Sequence, residues 1–450
     1  MTDITLGDAL TVQRQGEGVH DWFSDVTEIM PVIGVALGLP VAQPARTLRF
    51  MLQTRSTEPF KAPDVMPDSV KINRCLGAPG HGPRVLFFSG GSAINGLSQH
   101  ITAYTHNSIH LITPFDSGGS SAALRQAFDM PGVGDLRQRL LALADQSAPN
   151  QRELCQLLQH RLSEHKTNEA LHRELTEIIS GQHELMCAAP SEARKDITSQ
   201  LATLCKRLPT DFDLHMASVG NLVLAGGYLA SGNDMSASVN RFSALINIHG
   251  TVRAIVDDPL HLGVHLENGH SFIGQHLLTG KEYPDISSPV SSIFLSRSAL
   301  EPDPVTALVN RENSQLIAKA NVICYAPGSF YSSLIANLLP DGVADAVGKA
   351  PCPKVFIPNL GVDPEQLGMN FSATVQALIR QLRQCSGDKP VSDLLNYVVI
   401  DSDRSRYPYE LDLELLDSLG VELLELPLVT SQSAPYYDDE RLAQVLVSLA

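Results

Sequence analysis

Three segments of this sequence combine glycines and hydroxyls in a way that could hold an oxyanion. The first is Ser89-Gly90-Gly91-Ser92-Ala93-Ile94-Asn95-Gly96-Leu97-Ser98, directly after an apolar run. Glycines there let the backbone turn sharply and aim amides at a ligand, with a helix N-terminus behind them. Gly91 to Ser98 imitates the GxxxxG-x-S frame of a P-loop, but Leu97 stands where the phosphate-binding lysine belongs, and there is no GxGxxG. Walker-type NTPase chemistry is therefore disfavoured. Taken alone, the segment reads equally well as a plain turn between strand and helix. The second is Pro114-Phe115-Asp116-Ser117-Gly118-Gly119-Ser120-Ser121. A carboxylate at a strand's carboxyl end, followed by glycines and hydroxyls, suits a Mg²⁺ ion and the phosphate oxygens it bridges; the same residues also suit helix capping. The third, Ala326-Pro327-Gly328-Ser329-Phe330-Tyr331-Ser332-Ser333, again follows an apolar run. His261 and His265, with His270 and His276 nearby, lack the carboxylate or thiolate spacing of a metal site, and Asp257-Asp258 before Pro259 reads as a turn.

Such loops need strands to carry them. Residues 84–88 form a short apolar run between glycine-rich segments and read as a buried parallel strand; 93–104 read as a helix, 108–113 as a second strand, and a helix follows the second loop. Strand, glycine loop, helix, repeated, is the signature of a parallel sheet. Strands over 321–325, 354–357 and 397–400 and a helix over 330–339 resume the pattern. Leucines at helical spacing mark 135–209 as a helical insertion, and a helix is expected over 220–230. Runs at 251–256, 261–266, 271–278 and 291–295, with Asn268-Gly269 as a hairpin turn, read as a small β layer. The expected organisation is an N-terminal extension and linker (1–82), the first half of a Rossmann-like nucleotide-binding core (83–134), a helical insertion (135–215), a helix plus a small β layer (216–300), and the second half of the core (301–450). The fold class is α/β, a doubly wound, mostly parallel sheet. Three polar loops then converge at the carboxyl edge of one sheet, where open α/β folds bind ligands.

Bulk properties limit the ligand. With 33 basic against 49 acidic residues the chain carries −16, which repels nucleic acid and anionic membranes at long range. A small anion remains compatible, because backbone amides bind it locally. Seven scattered cysteines without a CxxC pair read as reduced thiols of a cytoplasmic protein. The apolar run over 30–42 is broken by glycine and proline, too short to span a bilayer, and lacks the basic flank of an export signal.

The loops, taken together and in order, resemble the CofD/YvcK family. Gly90-Gly91-Ser92 with Asn95-Gly96-Leu97 is similar to its GGGTGLS loop, 116–125 to DDGGSSGxLR, and 131–137 with 140–144 to PPGDIRNCLVALA. Residues 218–225, including Gly220-Asn221, resemble GNLLLAAL; 326–339 resemble GPGSLYTSIIPNLL; 354–359, ending at Asn359, resemble KVYVCN; the tail over 420–424 and 438–443 follows suit. The likeness spans about 84–450. It departs at Ser117 (the second Asp of DD), at Ala326 (the first glycine of GPGS), at Ala217 (a histidine in the family, with His215 close by), and in the N-terminal extension and helical insertion, which mark a divergent member.

The resemblance implies a Rossmann-like fold and one of two functions. One is a transferase that takes a phospholactyl-type group from a nucleoside-diphosphate-linked donor with Mg²⁺ and releases the nucleoside monophosphate. The other is a non-catalytic protein that binds UDP-sugars and supports carbon metabolism and cell-wall synthesis. The GGSS and PGDIR-like segments lie nearer the second branch. In either case the nucleotide or nucleotide-sugar ligand is expected on Gly90, Gly91, Ser92, Asn95, Gly96, Gly118, Gly119, Ser120, Ser121, Asn221, Pro327, Gly328, Ser329, Tyr331, Ser332 and Asn359; in the transferase Asp116 is the metal ligand and catalytic carboxylate, and in the non-catalytic protein it shapes the pocket. A homodimer is compatible with the sequence, which does not fix the oligomeric state.

Overall fold

The computed structural model describes residues 60–450 except 148, 281–283 and 385–386; the extension up to residue 59, with its 30–42 run, and Cys385 lie outside the described residues. The first element is α1 (Ser69–Gly77), which interrupts the expected linker and buries Ile72 and Cys75. Then come β1 (Val85–Ser89), α2 (Asn95–Ile101), β2 (Ile109–Ile112), α3 (Gly119–Phe128) and α4 (Gly134–Ala142). The insertion supplies α5 (Gln151–Gln159), α6 (Asn168–Ser180), α7 (Glu184–Ala188) and α8 (Ser191–Cys205), and two helices follow it, α9 (Val219–Ala230) and α10 (Met235–Leu245). The chain continues through β3 (Thr251–Ala254), β4 (His261–Leu266), β5 (Ser271–Ile273), β6 (Val290–Ser296), β7 (Pro304–Val305), α11 (Arg311–Ala318) and β8 (Val322–Tyr325). It ends with α12 (Val343–Lys349), β9 (Lys354–Phe356), α13 (Phe371–Gln384), β10 (Tyr397–Asp401), α14 (Leu413–Leu419), β11 (Glu422–Leu426) and α15 (Asp439–Leu449).

Seven strands form one parallel sheet in the order β11-β10-β9-β8-β1-β2-β3. Strands alternate their side chains between faces, and here both faces are covered, which is why β1 reads as an unbroken apolar run. Leu86 and Phe88 enter one core with Ile323, Tyr325 and Phe356. Val85 and Phe87 enter the other with Cys324, Val355, Tyr397 and helix α15. The insertion has its own core, where Leu154, Leu158, Leu171, Leu175 and Ile197 pack with α9. A four-stranded antiparallel sheet, β5-β4-β6-β7, is the added β layer, and Gly269 turns its first hairpin at φ +85°.

Two further elements differ from the sequence expectation. Residues 251–254 are not part of the small layer: β3 pairs in parallel with β2 as the last strand of the main sheet. It buries alternate residues only, as an edge strand does, so its sequence looks like an antiparallel one. The helix after β8 is a wide π-type turn (Phe330–Leu334) followed by a 3₁₀ turn (Ile335–Leu338), not a regular α-helix. Among the described residues no helix is long and apolar enough to cross a membrane, and Cys75, Cys155, Cys187, Cys205, Cys324 and Cys352 are free thiols.

Candidate functional site

From β1 the chain moves outward to β2 and β3, and from β8 it moves the other way to β11. The carboxyl ends of β1 and β8 therefore diverge and leave a crevice, the topological switch point of a doubly wound sheet. The first loop, the third loop, Asp135, Gln138 and Gln275 line a chamber of about 100 Å³ there. A second chamber of about 360 Å³ adjoins it beyond β2, lined by Asp116, Gly118, Gly119, Ser120, Ser121, Arg137, Arg161, Asn221 and His276. Asp135, Gln138 and Gln275 line both. A larger hollow of about 530 Å³, by Lys71, Arg74, Arg84 and Asn321, opens at the amino ends of β1 and β8 and touches none of these loops.

A buried arginine shapes each of the first two loops. Arg139 of α4 is fully buried; Nη2 donates to Gly90 O (3.2 Å) and Gly91 O (3.0 Å), and Nη1 donates to Ile94 O (2.9 Å) and to Ser98 Oγ. Across a trans peptide the carbonyl and the next amide point opposite ways. Anchoring the Gly90 and Gly91 carbonyls on Arg139 therefore turns the amides of Gly91 and Ser92 away from it, toward the crevice. Burial pushes the Arg139 guanidinium down to about 9, with Asp135 opposing the shift. Arg125 does the same for the second loop: Nη1 donates to Phe115 O and Asp116 O, both at 3.1 Å, and Nη2 to Leu260 O at 2.6 Å.

The glycines of the first loop admit side chains. A Cβ on Gly91 would meet Asp135 Oδ1 at 2.3 Å, and one on Gly90 would meet Ser333 Oγ at 2.2 Å. Asp116 Oδ1 accepts from Gly118 N at 3.1 Å, and a Cβ on Gly134 would meet Asp116 Oδ2 at 2.1 Å. Burial raises the Asp116 carboxyl above its ordinary range, against the pull of Gly118, Ser121, Arg125 and Arg137. Asn221 Nδ2 donates to Ser120 Oγ at 3.0 Å. Ser117, the departure from the DD pair, meets His276 Nδ1 at 2.7 Å through Oγ, which also accepts from His276 N at 3.2 Å. That contact ties the second loop to the turn after β5 and brings Gln275 over the crevice.

Of the sequence-predicted residues, Gly90, Gly91, Ser92, Pro327, Gly328 and Ser329 meet in the first chamber, and Asp116, Gly118, Gly119, Ser120, Ser121 and Asn221 in the second. Asn95, Gly96, Tyr331, Ser332 and Asn359 line neither. Asn359 clamps Gly328, accepting from its amide and donating to its carbonyl, both at 2.7 Å; Gly328 holds φ +141°, which favours glycine. The amides of Tyr331 and Ser332 both donate to Glu365 Oε2 at 2.8 Å, and Phe330 N donates to Asp363 Oδ2 at 2.7 Å. Protein carboxylates thus occupy the helix start where a phosphate was expected. Gly96 likewise makes room for a carboxylate: its Cβ would meet Asp439 Oδ2 at 1.9 Å, and Asp439 accepts from the Leu97 amide. Asp135, Arg137, Arg139, Gln138, Gln275 and His276 carry no loop signature of their own. The PGDIR-like segment was the signal that could have found Asp135 and Arg137.

The donor set suits a hard divalent cation. Asp116 and Asp135 bring carboxylates to the adjoining chambers, and among the described residues Gln275 Oε1 is buried without a hydrogen-bond partner.

A family model described as 2-phospho-L-lactate transferase CofD matches residues 85–429. The gluconeogenesis factor of Bacillus subtilis is 25% identical over 379 residues, covering 82% of this chain and 99% of its own. A putative gluconeogenesis factor of Thermoanaerobacterium thermosulfurigenes is 25% identical, with 82% and 97% covered. The crystal structure of a UPF0052 family member from Bacillus halodurans has the same fold, at a TM-score of 0.60, 22% identity, and coverage of 81% of this chain and 99% of that one. With the match running from the first residue of β1 past the end of β11, the chain belongs to the CofD family.

Proposed function

We propose that this protein binds a nucleoside-diphosphate-linked ligand across the two chambers and transfers a phosphorus-containing group from it to an acceptor hydroxyl. The observation that carries the reading is the wall common to both chambers: Asp135, Gln138 and Gln275 face each of them, so a donor in one and an acceptor in the other would meet there. The amides of Gly91 and Ser92, turned outward by Arg139, would face the diphosphate. Ser329 would approach it from the opposite lip. Asp116 and Asp135 would hold Mg²⁺, which offsets charge as the phosphoanhydride breaks. Arg137, whose guanidinium burial pushes down to about 10, would hold anionic groups in the second chamber. Attack of the acceptor oxygen on phosphorus forms the new phosphoester, the nucleoside monophosphate leaves with the bridging oxygen, and the hydroxyl proton passes to water. The ligand in this reading is small, neither polynucleotide nor membrane, and the setting is cytoplasmic.

A second reading is favoured by the relatives named gluconeogenesis factor, which this chain spans almost end to end. In it the same loops bind a UDP-sugar without turnover and report on carbon metabolism. A thermal-shift panel of GDP, GTP, UDP, UDP-N-acetylglucosamine and NADP, each with and without Mg²⁺, separates the two. A ligand at about 100 times its Kd stabilises the fold by roughly 2.7 kcal/mol. Mg²⁺-dependent stabilisation by a nucleotide, with monophosphate released from its linked donor, supports the transferase. Stabilisation by UDP-sugars alone, without metal or release, supports the regulator.

A further inference from the structure

The helical insertion carries a cluster that neither chamber uses. His160 ends α5, Glu174 sits midway along α6, and His183 begins α7. One ligand atom from each lies within 4.8 Å of the others. His160 Nε2 is 3.0 Å from Glu174 Oε1, and the two imidazole centroids are 5.5 Å apart and inclined by 45°. Two imidazoles on one tetrahedral zinc ion, with Zn–N near 2.1 Å, have centroids roughly 5 Å apart. The spacing is therefore already close to that of a loaded site. Two histidines and one carboxylate are also a familiar zinc set, with a fourth position left for water.

The frame behind these ligands is firm. Leu157 and Leu158 of α5, Leu171 and Leu175 of α6, and Met186 of α7 all enter the insertion core. Lys166 Nζ donates to Glu174 Oε2 at 2.8 Å, which leaves Oε1 turned toward His160. A partner on the far oxygen is how outer groups orient a ligating carboxylate. His183 Nδ1 accepts from Leu185 N at 3.3 Å. Ligation through either ring nitrogen gives up only that long bond, because ligation through Nε2 moves the ring proton to Nδ1.

We propose that His160, Glu174 and His183 form a zinc site that staples α5, α6 and α7 together. The test uses the full chain, stripped with a chelator and titrated with ZnCl₂ by calorimetry, with CoCl₂ as a spectroscopic probe. One equivalent of zinc per chain is expected, with a higher thermal midpoint and, for cobalt, a visible absorption band of a four-coordinate ion. Affinity should fall at least tenfold in both His160→Ala and His183→Ala. Glu174→Gln serves where either alanine variant misfolds, and the cobalt band is read on the unaltered protein. No saturable uptake, a six-coordinate cobalt spectrum, or uptake undiminished in the variants overturns the site.

Discussion

Gly91 is a glycine because Asp135 occupies the space its side chain would take. Gly91→Val should cost about 1–3 kcal/mol through overpacking and abolish the ligand-dependent thermal shift; a variant that still shows the shift would place the ligand elsewhere. Asp116→Asn keeps the shape and removes a charge, so it should leave metal-free nucleotide binding intact and lower turnover about a hundredfold or more, read as monophosphate release. Glu365 makes a different kind of claim. Burial, with the charge of Asp363 beside it, pushes its carboxyl up to about 7. Its folded value lies above an unfolded value of about 4.3, so between these limits the fold holds more proton than the unfolded chain. Its contribution to stability is full at about pH 4 and lost as the pH rises toward 7. Relative to Glu365→Gln, the unaltered protein should lose up to ~1.4 kcal/mol per pH unit across that window, measured by urea unfolding; parallel curves would exclude the shift. Nothing near Ser332 in the sequence announces Glu365, because the pair is made by folding β9 beside β8.

At the level of elements, the loops were legible and their supports were not. A buried strand followed by glycines leaves a local signature, so β1, β2, β8, β9 and β10 could be placed from composition alone. β3 could not be assigned to its sheet, since a strand buried on alternate residues has the same pattern in either setting. β11, exposed along much of its length, gave no strand signal. The arginines on α3 and α4 are equally silent, because an arginine in a helical run usually faces solvent. Arg139 instead holds three carbonyls of the first loop. Arg139→Met should leave the Gly90 and Gly91 carbonyls without a donor, each costing about 1–3 kcal/mol where it stays buried, while Ile94 O keeps the Ser98 amide and hydroxyl. Hydrogen exchange should accelerate through residues 90–98 while the insertion core keeps its protection. Arg139→Lys, with fewer donors and no planar fork, should recover part of the loss. Uniform acceleration across the sheet would instead mean that Arg139 supports the global fold and not the loop.

Over the whole molecule, the site exists because β1 and β8, far apart in sequence, are neighbours in the sheet. The sequence brings the three glycine loops to one sheet edge, but does not show that the first and third line one chamber and the second loop another. Helix α15 completes this arrangement from beyond residue 429, where the family match ends. Its Ala443, Leu446 and Val447 share a core with Phe87, Leu97 and Ile101, and Asp439 at its start meets the Leu97 amide at the head of α2. The chain thus sets its own carboxylate at a helix start that would otherwise be open to an anion. Asp439→Ala should lower stability by about 0.5–2 kcal/mol, as the loss of a cap does. Removing a negative charge from beside the start of α2, which follows the first loop, should also strengthen binding of an anionic nucleotide, several-fold at low salt and less at high salt. Stability and affinity then move in opposite directions in one variant, which calorimetry and thermal unfolding resolve together. A variant that loses both would show that Asp439 keeps the loop in shape and that its charge has no bearing on the ligand.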